Sequence, residues 1–309
     1  SLDEVAQFLN EHGITEKDSM IVLNTRKSAL AMWLEMRKIG LKPLFLSAWV
    51  TPQDRTETLH LLKEKERKEN RCLVATQVIE AGVDLDFDLV FRDLGPLDSI
   101  IQVAGRCNRN CRPGLGHVHV AEVKDEDNRS YCNIYDKVLL VQTRAVLEQF
   151  PCIDDNACSA VVELYYKNLR NAINATDLWD RISSGRWGEP TPLMEQGAPN
   201  EVMLIIDYEG TAEKELNELA ESKGNKERYE FWQEYKRLMR CLALQSVQIP
   251  YKYLEEWWLA EGGNIISDHE GYLHEYGPGI WIVRPDGIGK IYKQTIGFLP
   301  MDIAQLIND

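Results

Sequence analysis

No stretch of this 309-residue sequence approaches the roughly 18 to 20 consecutive apolar residues that a membrane-spanning helix needs. The first thirty residues also lack the basic-then-apolar order of a signal peptide, so neither an embedded nor a secreted chain is expected. There is no internal repeat and no low-complexity tract, which removes solenoid and disordered readings. Cysteine occurs seven times, an odd number without paired spacing; a disulfide framework is therefore not expected, and reduced thiols in a cytoplasmic setting are. Positive charge is short as well, because a formal net charge of −14 argues against gripping nucleic acid by bulk positive potential.

What is present is the composition of a globular chain of about two domains, 44% hydrophobic and 27% charged. The charge is unevenly spread. Residues 1–120 carry 16 Lys and Arg against 17 Asp and Glu, and the remainder carries 19 against 32. A phosphate-handling surface is thus expected in the first part, since the second repels polyanions except at local basic pockets.

In that first part, β-rich runs at Met20 to Asn24, Pro43 to Ser47, Arg71 to Ala75, Asp88 to Asp93 and Gly116 to Val123 alternate with amphipathic stretches. This is the order of a parallel sheet covered by helices. Ala29, Trp33, Met36 and Ile39 recur near helical period, with Gly40 where a C-terminal cap belongs. Thr51-Pro52-Gln53-Asp54 opens a further helix, predicted to run to Lys68, with an N-cap hydroxyl, a proline at the first position and a carboxylate three residues after the cap. From Tyr131 to Arg181 the period is helical, with Val138, Leu139, Val146, Leu147, Val161, Val162, Leu164 and Leu169 as expected buried positions. A cluster of Ser, Gly and Pro over Ser183 to Asn200 then marks a boundary. Beyond it we expect a strand at Val202 to Tyr208, a long charged helix to about Arg240 and short strands within 271–299. Tyr251, Tyr253, Trp257, Trp258, Trp281 and Tyr292 in this part are expected to pack a core rather than to stack on bases.

Chemistry concentrates in two segments, VATQVIEAGVDLD from Val74 to Asp86 and QVAGRCNR from Gln102 to Arg109. Arg106 and Arg109 are three apart on an expected helix, so their guanidinium groups share a face and can converge on a phosphate through forked hydrogen bonds. Such a pair suits an arginine finger, which stabilises charge on a transferring phosphoryl group. An isolated RxxR would more simply form surface ion pairs with Asp86, Asp93 or Asp98. Gln102, opening the same helix, is placed to orient an attacking water. Thr76 ends a strand, where its hydroxyl and the following amides can hold a nucleic-acid phosphate, while Gly82 permits close approach and Asp84 can reach a ribose hydroxyl. The plainer reading is that Thr76 caps a helix starting near Val78 and Asp84 caps a turn. Cys107, Cys111, His117 and His119 lie within thirteen positions, but a helix, a loop and a strand would have to bring them together, so a zinc site is not expected.

Together TxxxxxGxD and QxxGRxxR resemble motifs V and VI of superfamily 2 helicases. The phrases ATQVIEAGVDLDFD and QVAGRCNRN, with TPQDR shortly before them, resemble more finely the CRISPR-associated helicase-nucleases of type I interference systems, over about residues 20–124. The resemblance implies an α/β fold: a RecA-like parallel sheet flanked by helices over 1–130, the second such domain of a helicase, then a helical linker region over 131–195 and a smaller α+β accessory domain over 196–309. It implies catalytic roles for Arg109, Arg106 and Gln102, nucleotide contacts for Gly82, Asp84 and Gly105, and nucleic-acid contacts for Thr76 and Gln77. Asn24, Thr25 and Ser47 occupy the places of the strand-contacting motifs IV and IVa. Val103 departs from the pattern, since many superfamily 2 members have arginine there. The implied partners are single-stranded DNA, a crRNA-guided surveillance complex, and upstream RecA-like and nuclease domains; no membrane is involved.

The sequence contains no GxxxxGK[ST] phosphate loop and no acidic motif II after one, and Asp268-His269 reverses the order of a histidine-aspartate nuclease signature. We therefore expect the C-terminal part of a larger helicase, with ATP shared with an upstream half that carries Mg2+, and no hydrolysis by this segment alone. Two other readings are a non-catalytic module that docks a partner through its acidic second part, and a different superfamily 2 helicase acting on RNA or in repair.

Overall fold

The computed structural model describes residues 1–64, 69–80, 84–172, 183–185, 200–223, 227–260 and 271–308. Its elements begin with α1 (Leu2–Glu11), β1 (Ser19–Val22), α2 (Arg26–Lys38), β2 (Leu44–Leu46), α3 (Pro52–Lys63) and β3 (Cys72–Ala75). There follow β4 (Leu89–Asp93), α4 (Leu97–Ala104), β5 (His117–Ala121), α5 (Lys137–Gln149) and α6 (Asp155–Ala172). The later part holds β6 (Glu201–Ile206), α7 (Ala212–Ser222), α8 (Arg228–Leu244), β7 (Ser246–Pro250) and α9 (Tyr251–Ala260). It closes with β8 (Leu273–Gly277), β9 (Ile280–Val283), β10 (Tyr292–Lys293), β11 (Gly297–Phe298) and α10 (Met301–Asn308). All five strands expected in the first part are present, in a five-stranded sheet of order β2-β3-β1-β4-β5. The apolar cores of β1, β3 and β4 are continuous rather than alternating, as befits parallel strands buried on both faces. No helix of the described residues is long and apolar enough to cross a membrane. All seven cysteines are free thiols.

The chain divides into two compact units, residues 1–28 with 79–197, and residues 29–78 with 198–309. In the first unit β1 and β5 pair in parallel with β4, in the registers Ser19 with Leu89 and Leu89 with His117. The helices of the expected linker pack rather than merely connect: Val146 of α5 and Val161, Tyr165 and Leu169 of α6 form a core with Leu97 of α4. Val138 departs from its expected burial and is exposed. Asp136 caps α5, its carboxylate accepting from the Val138 amide at 2.7 Å, which leaves Val138 in the outward first turn and passes burial to Leu140, Thr143 and Val146.

In the second unit β2 and β3 pair in parallel, and a separate four-stranded sheet runs β7-β6-β9-β8. There β6 is parallel to β9, whereas β7 and β8 are antiparallel to their neighbours. The single long helix expected before Arg240 is two, α7 and α8. Helix α3 is capped as its sequence suggests, the Thr51 hydroxyl accepting from the Asp54 amide, and is described to Lys63; residues 65–68 lie outside the described residues.

The Asp54 side chain turns inward, away from the capping role its position suggests. It is 2% exposed and accepts hydrogen bonds from the hydroxyls of Tyr208 (2.6 Å) and Tyr292. Trp49 completes the same interior with Trp281, Tyr292 and Phe298, and the Phe298 amide donates to the Trp49 carbonyl at 3.0 Å. Gly297 precedes that bond at φ +83°, where a Cβ would lie 2.4 Å from the Trp49 oxygen, so only glycine fits. Of the aromatic residues expected to pack, Trp281 and Tyr292 are buried, and Tyr251, Tyr253, Trp257 and Trp258 lean partly buried on the same core.

Candidate nucleotide and strand-contact residues

Parallel sheets offer ligands the C-terminal edge of their strands, and the candidates in each unit gather there. In the second unit Leu46 pairs with Ala75, so Ser47 and Thr76 leave β2 and β3 side by side. Both are buried; the Ser47 hydroxyl accepts from the Trp49 amide at 3.1 Å, and the Thr76 amide donates to the Leu46 carbonyl at 3.0 Å. Gln77, half-buried, opens a single 3₁₀ turn.

In the first unit Thr25 caps α2, its hydroxyl accepting from the Ser28 amide at 3.1 Å. Asn24 is buried at 3% exposure, with Nδ2 donating to the Leu94 carbonyl at 2.7 Å and Oδ1 accepting from Arg92 at 2.6 Å. These side-chain bonds are to protein, so Asn24 is placed to fix the chain just after β1. Gly82 lies outside the described residues, as does Asp268-His269.

Arg106 and Arg109 do not share a helix as their spacing suggests. Helix α4 ends at Ala104 with Gly105 as its cap; Cys107 then pairs with Phe87, and Asn108 enters the left-handed region at φ +45°. The two arginines thus project from a tight post-helical turn, which Asp86 organises. Its carboxylate accepts from the Arg109 amide at 2.8 Å, from the Asn110 side chain at 3.0 Å and from Arg112 Nε at 3.1 Å. Burial alone would raise the Asp86 pKa, but the Arg109 amide and the Arg112 guanidinium outweigh it and hold the group below the usual carboxylate range.

The side chains emerging from this turn differ. Arg109 is exposed and its Nε meets Asp84 at 3.3 Å, itself 80% exposed, a surface pair of the kind that is weakly held and readily exchanged. Arg106 is half-buried; one terminal nitrogen donates to the Glu80 carbonyl at 3.1 Å, while its Nε is buried without a hydrogen-bond partner. Gln102 lies exposed on α4, one position before the fully buried Val103. The donors of this turn are thus a guanidinium in a surface pair, a second with one buried unpartnered N–H, and an exposed side-chain amide.

Of the four candidate zinc ligands, Cys107 and His119 make contacts of another kind. The Cys107 thiol faces the carbonyls of Asp88 and His117, and burial, with Asp86 and Asp88 nearby, pushes its pKa up to about 11. His119 packs its ring on Phe8 and His12, and Cys111 is exposed.

Arg92 was not legible as a site residue. It lies in the apolar run of β4, where period and composition read as an ordinary buried strand, yet its guanidinium is fully buried at the same sheet edge. Beside it Asp93 is fully buried, and burial raises its pKa to about 6 against the pull of the Val123 amide and of Arg92.

Residues 15–112 match the family described as CRISPR-associated nuclease/helicase Cas3, C-terminal. A CRISPR-associated nuclease/helicase Cas3 from Methanothermobacter thermautotrophicus is 31% identical over 150 residues, which is 48% of this chain and 18% of the relative. The chain therefore spans about a fifth of that relative's length. Among solved structures, T. fusca Cas3-AMPPNP is similar with a TM-score of 0.58 at 17% identity, covering 92% of this chain and 37% of that one. A chain of a CRISPR RNA-guided surveillance complex, pre-nicking, is similar with a TM-score of 0.51 at 16% identity, covering 91% of this chain and 39% of that one. These likenesses show the RecA-like α/β fold.

Proposed function

We propose that this chain, whose residues 15–112 match the C-terminal region of the Cas3 nuclease/helicases, is a motor segment: the second RecA-like domain of an ATP-dependent single-stranded DNA translocase acting in CRISPR interference, with an accessory domain after it. The observation that carries this reading is the post-helical turn held by Asp86, which presents Arg106 with an unpartnered Nε and Arg109 with only a surface partner. The Arg109 guanidinium is thereby available to an anion without dismantling the fold.

ATP, when bound, supplies the transferable phosphoryl group and its negative charge. The residues of this chain that would hold it are Arg106 and Arg109, with Gln102 to orient water, while Gly82, Asp84 and Gly105 would contribute nucleotide contacts. The phosphate loop and the Mg2+ ligands come from another RecA-like half, since the sequence contains no GxxxxGK[ST]. Thr76, Gln77 and Ser47, with Thr25, would face the DNA backbone through hydroxyls and backbone amides. Arg109, paired with Asp84 at the surface, would exchange that carboxylate for a phosphate of the bound nucleotide. The protein works in the cytoplasm, recruited by a crRNA-guided surveillance complex, and passes its strand to a nuclease.

The test is single-stranded-DNA-stimulated ATP hydrolysis by the longer polypeptide that carries the phosphate-loop half, wild type beside Arg109→Ala. Turnover is expected to fall by about a hundredfold or more with nucleotide binding largely kept. Unchanged turnover would leave a docking module, and stimulation by RNA in preference to DNA would move the substrate class.

A further inference from the structure

Five hydrogen bonds converge on the buried Arg92 guanidinium, drawn from four separate segments of the first unit. One terminal nitrogen donates to Asn24 Oδ1 at 2.6 Å and to the Asp93 carbonyl at 3.0 Å. The other donates to Glu80 Oε1 at 3.2 Å, to the Ser99 hydroxyl at 2.8 Å and to the Tyr135 hydroxyl at 3.0 Å. Four of these partners also bind one another in two pairs: the Ser99 hydroxyl donates to Glu80 Oε1 at 2.6 Å, and the Tyr135 hydroxyl to Asn24 Oδ1 at 3.2 Å. The Glu80 backbone carbonyl then accepts from Arg106 at 3.1 Å.

We propose that Arg92 is a positioning residue that sets the Arg106 guanidinium through Glu80, and ties it to the end of β1 through Asn24. This rests on the motor reading above. The network joins the segments on which the candidate residues ride: Asn24 follows β1 beside Thr25, Glu80 stands four positions before Asp84, and Ser99 lies on α4, which leads to the arginine turn. A guanidinium fits because its two terminal nitrogens serve these acceptors from a fixed plane, the Nε alone being buried without a partner, whereas an ammonium offers three donors from one point. The arrangement is also close-fitting, for a Cβ on Gly95 would lie 3.1 Å from the Arg92 nitrogen and 3.3 Å from the Tyr135 ring. A buried charge held on so many partners has one low-energy position. The Glu80 carboxylate is pinned by two of them, and the Glu80 carbonyl inherits that placement.

Replacing Arg92 itself strips a buried charge and endangers folding, so the test is a double-mutant cycle at Glu80 and Arg106 in the longer polypeptide that carries the phosphate-loop half. Single-stranded-DNA-stimulated turnover is measured for Glu80→Ala, Glu80→Gln, Arg106→Ala and the double variant Glu80→Ala with Arg106→Ala. Expected is a loss in kcat of about tenfold for Glu80→Ala with KM for ATP changed less than about twofold, and recovery of most of it in Glu80→Gln, which keeps the Oε1 acceptor. In the Arg106→Ala background, Glu80→Ala is expected to cost less than about a further twofold, because the residue it positions is gone. Ser99→Ala, a small change at the same carboxylate, should lower kcat in the same sense and lose its effect in the same background. Multiplying losses in the double variant, or full activity in Glu80→Ala, would overturn the assignment while leaving the motor reading intact. Arg106→Ala without effect on turnover would overturn both.

Discussion

Asp93→Asn isolates the cost of a carboxylate that the fold buries. Asp93 ends β4 at 0% exposure, with Oδ1 accepting from the Val123 amide at 3.0 Å and Oδ2 without a hydrogen-bond partner. Burial raises its pKa from 3.8 to about 6, the Val123 amide and the Arg92 charge opposing that rise only in part. A shift of roughly two units at about 1.4 kcal/mol each places the penalty near 3 kcal/mol once the group is ionised. The sign follows from which state holds the proton. Between pH 3.8 and about 6 the folded protein binds it more tightly than the unfolded chain, so stability falls as pH rises through this window, and the penalty is complete above it. Asparagine keeps an Oδ1 acceptor for Val123 and removes the titration. Urea unfolding of wild type and variant at pH 4.5 and 7.5 measures the effect: between these pH values the wild type should lose about 2 kcal/mol relative to the variant. Parallel stabilities at the two pH values, or a wild type that gains on the variant as pH rises, would refute the burial argument.

The sheet was readable because parallel strands buried on both faces print continuous apolar runs, and Met20 to Val22, Cys72 to Ala75 and Leu89 to Phe91 do so. The Arg106 and Arg109 pair was readable as chemistry but not as geometry. Spacing of three suggests a helical face, yet Gly105 ends the helix one residue earlier, and the bridge from Cys107 to Phe87 is a long-range contact that no local period records. Asn24 was legible as a polar residue at a strand end, a position equally suited to a ligand or to a structural bond; the decisive fact, Arg92 arriving 68 residues later, is tertiary. Asp54 repeats the case, since its place three residues after a cap hides a partnership with Tyr208 and Tyr292 that begins 154 residues on. Polar residues whose partners are distant look alike in sequence whether they face solvent, ligand or a buried network. Apolar residues are freer of this ambiguity, because burial against any neighbour satisfies them.

Two further outcomes test the packing around these groups. Cys107, its thiol pushed up to about 11 by burial and the nearby carboxylates, should react with iodoacetamide at pH 8 about a hundredfold more slowly than the exposed Cys111, Cys152 and Cys241, and peptide mass spectrometry reads the order directly; equal rates would contradict the buried thiol. Tyr292→Phe removes one hydroxyl that both donates to Asp54 and accepts from the Thr51 amide at 2.9 Å. Asp54 would keep only the Tyr208 hydroxyl, at 2.6 Å, and the Thr51 amide would lose its acceptor within a buried site. Stranding these groups costs about 1 to 3 kcal/mol, more than the Asp54→Asn variant in which both tyrosines still find an oxygen. Urea unfolding of the two variants decides it: Tyr292→Phe less stable than Asp54→Asn supports a network centred on the tyrosine hydroxyl, and the reverse order would make the carboxylate charge its organiser.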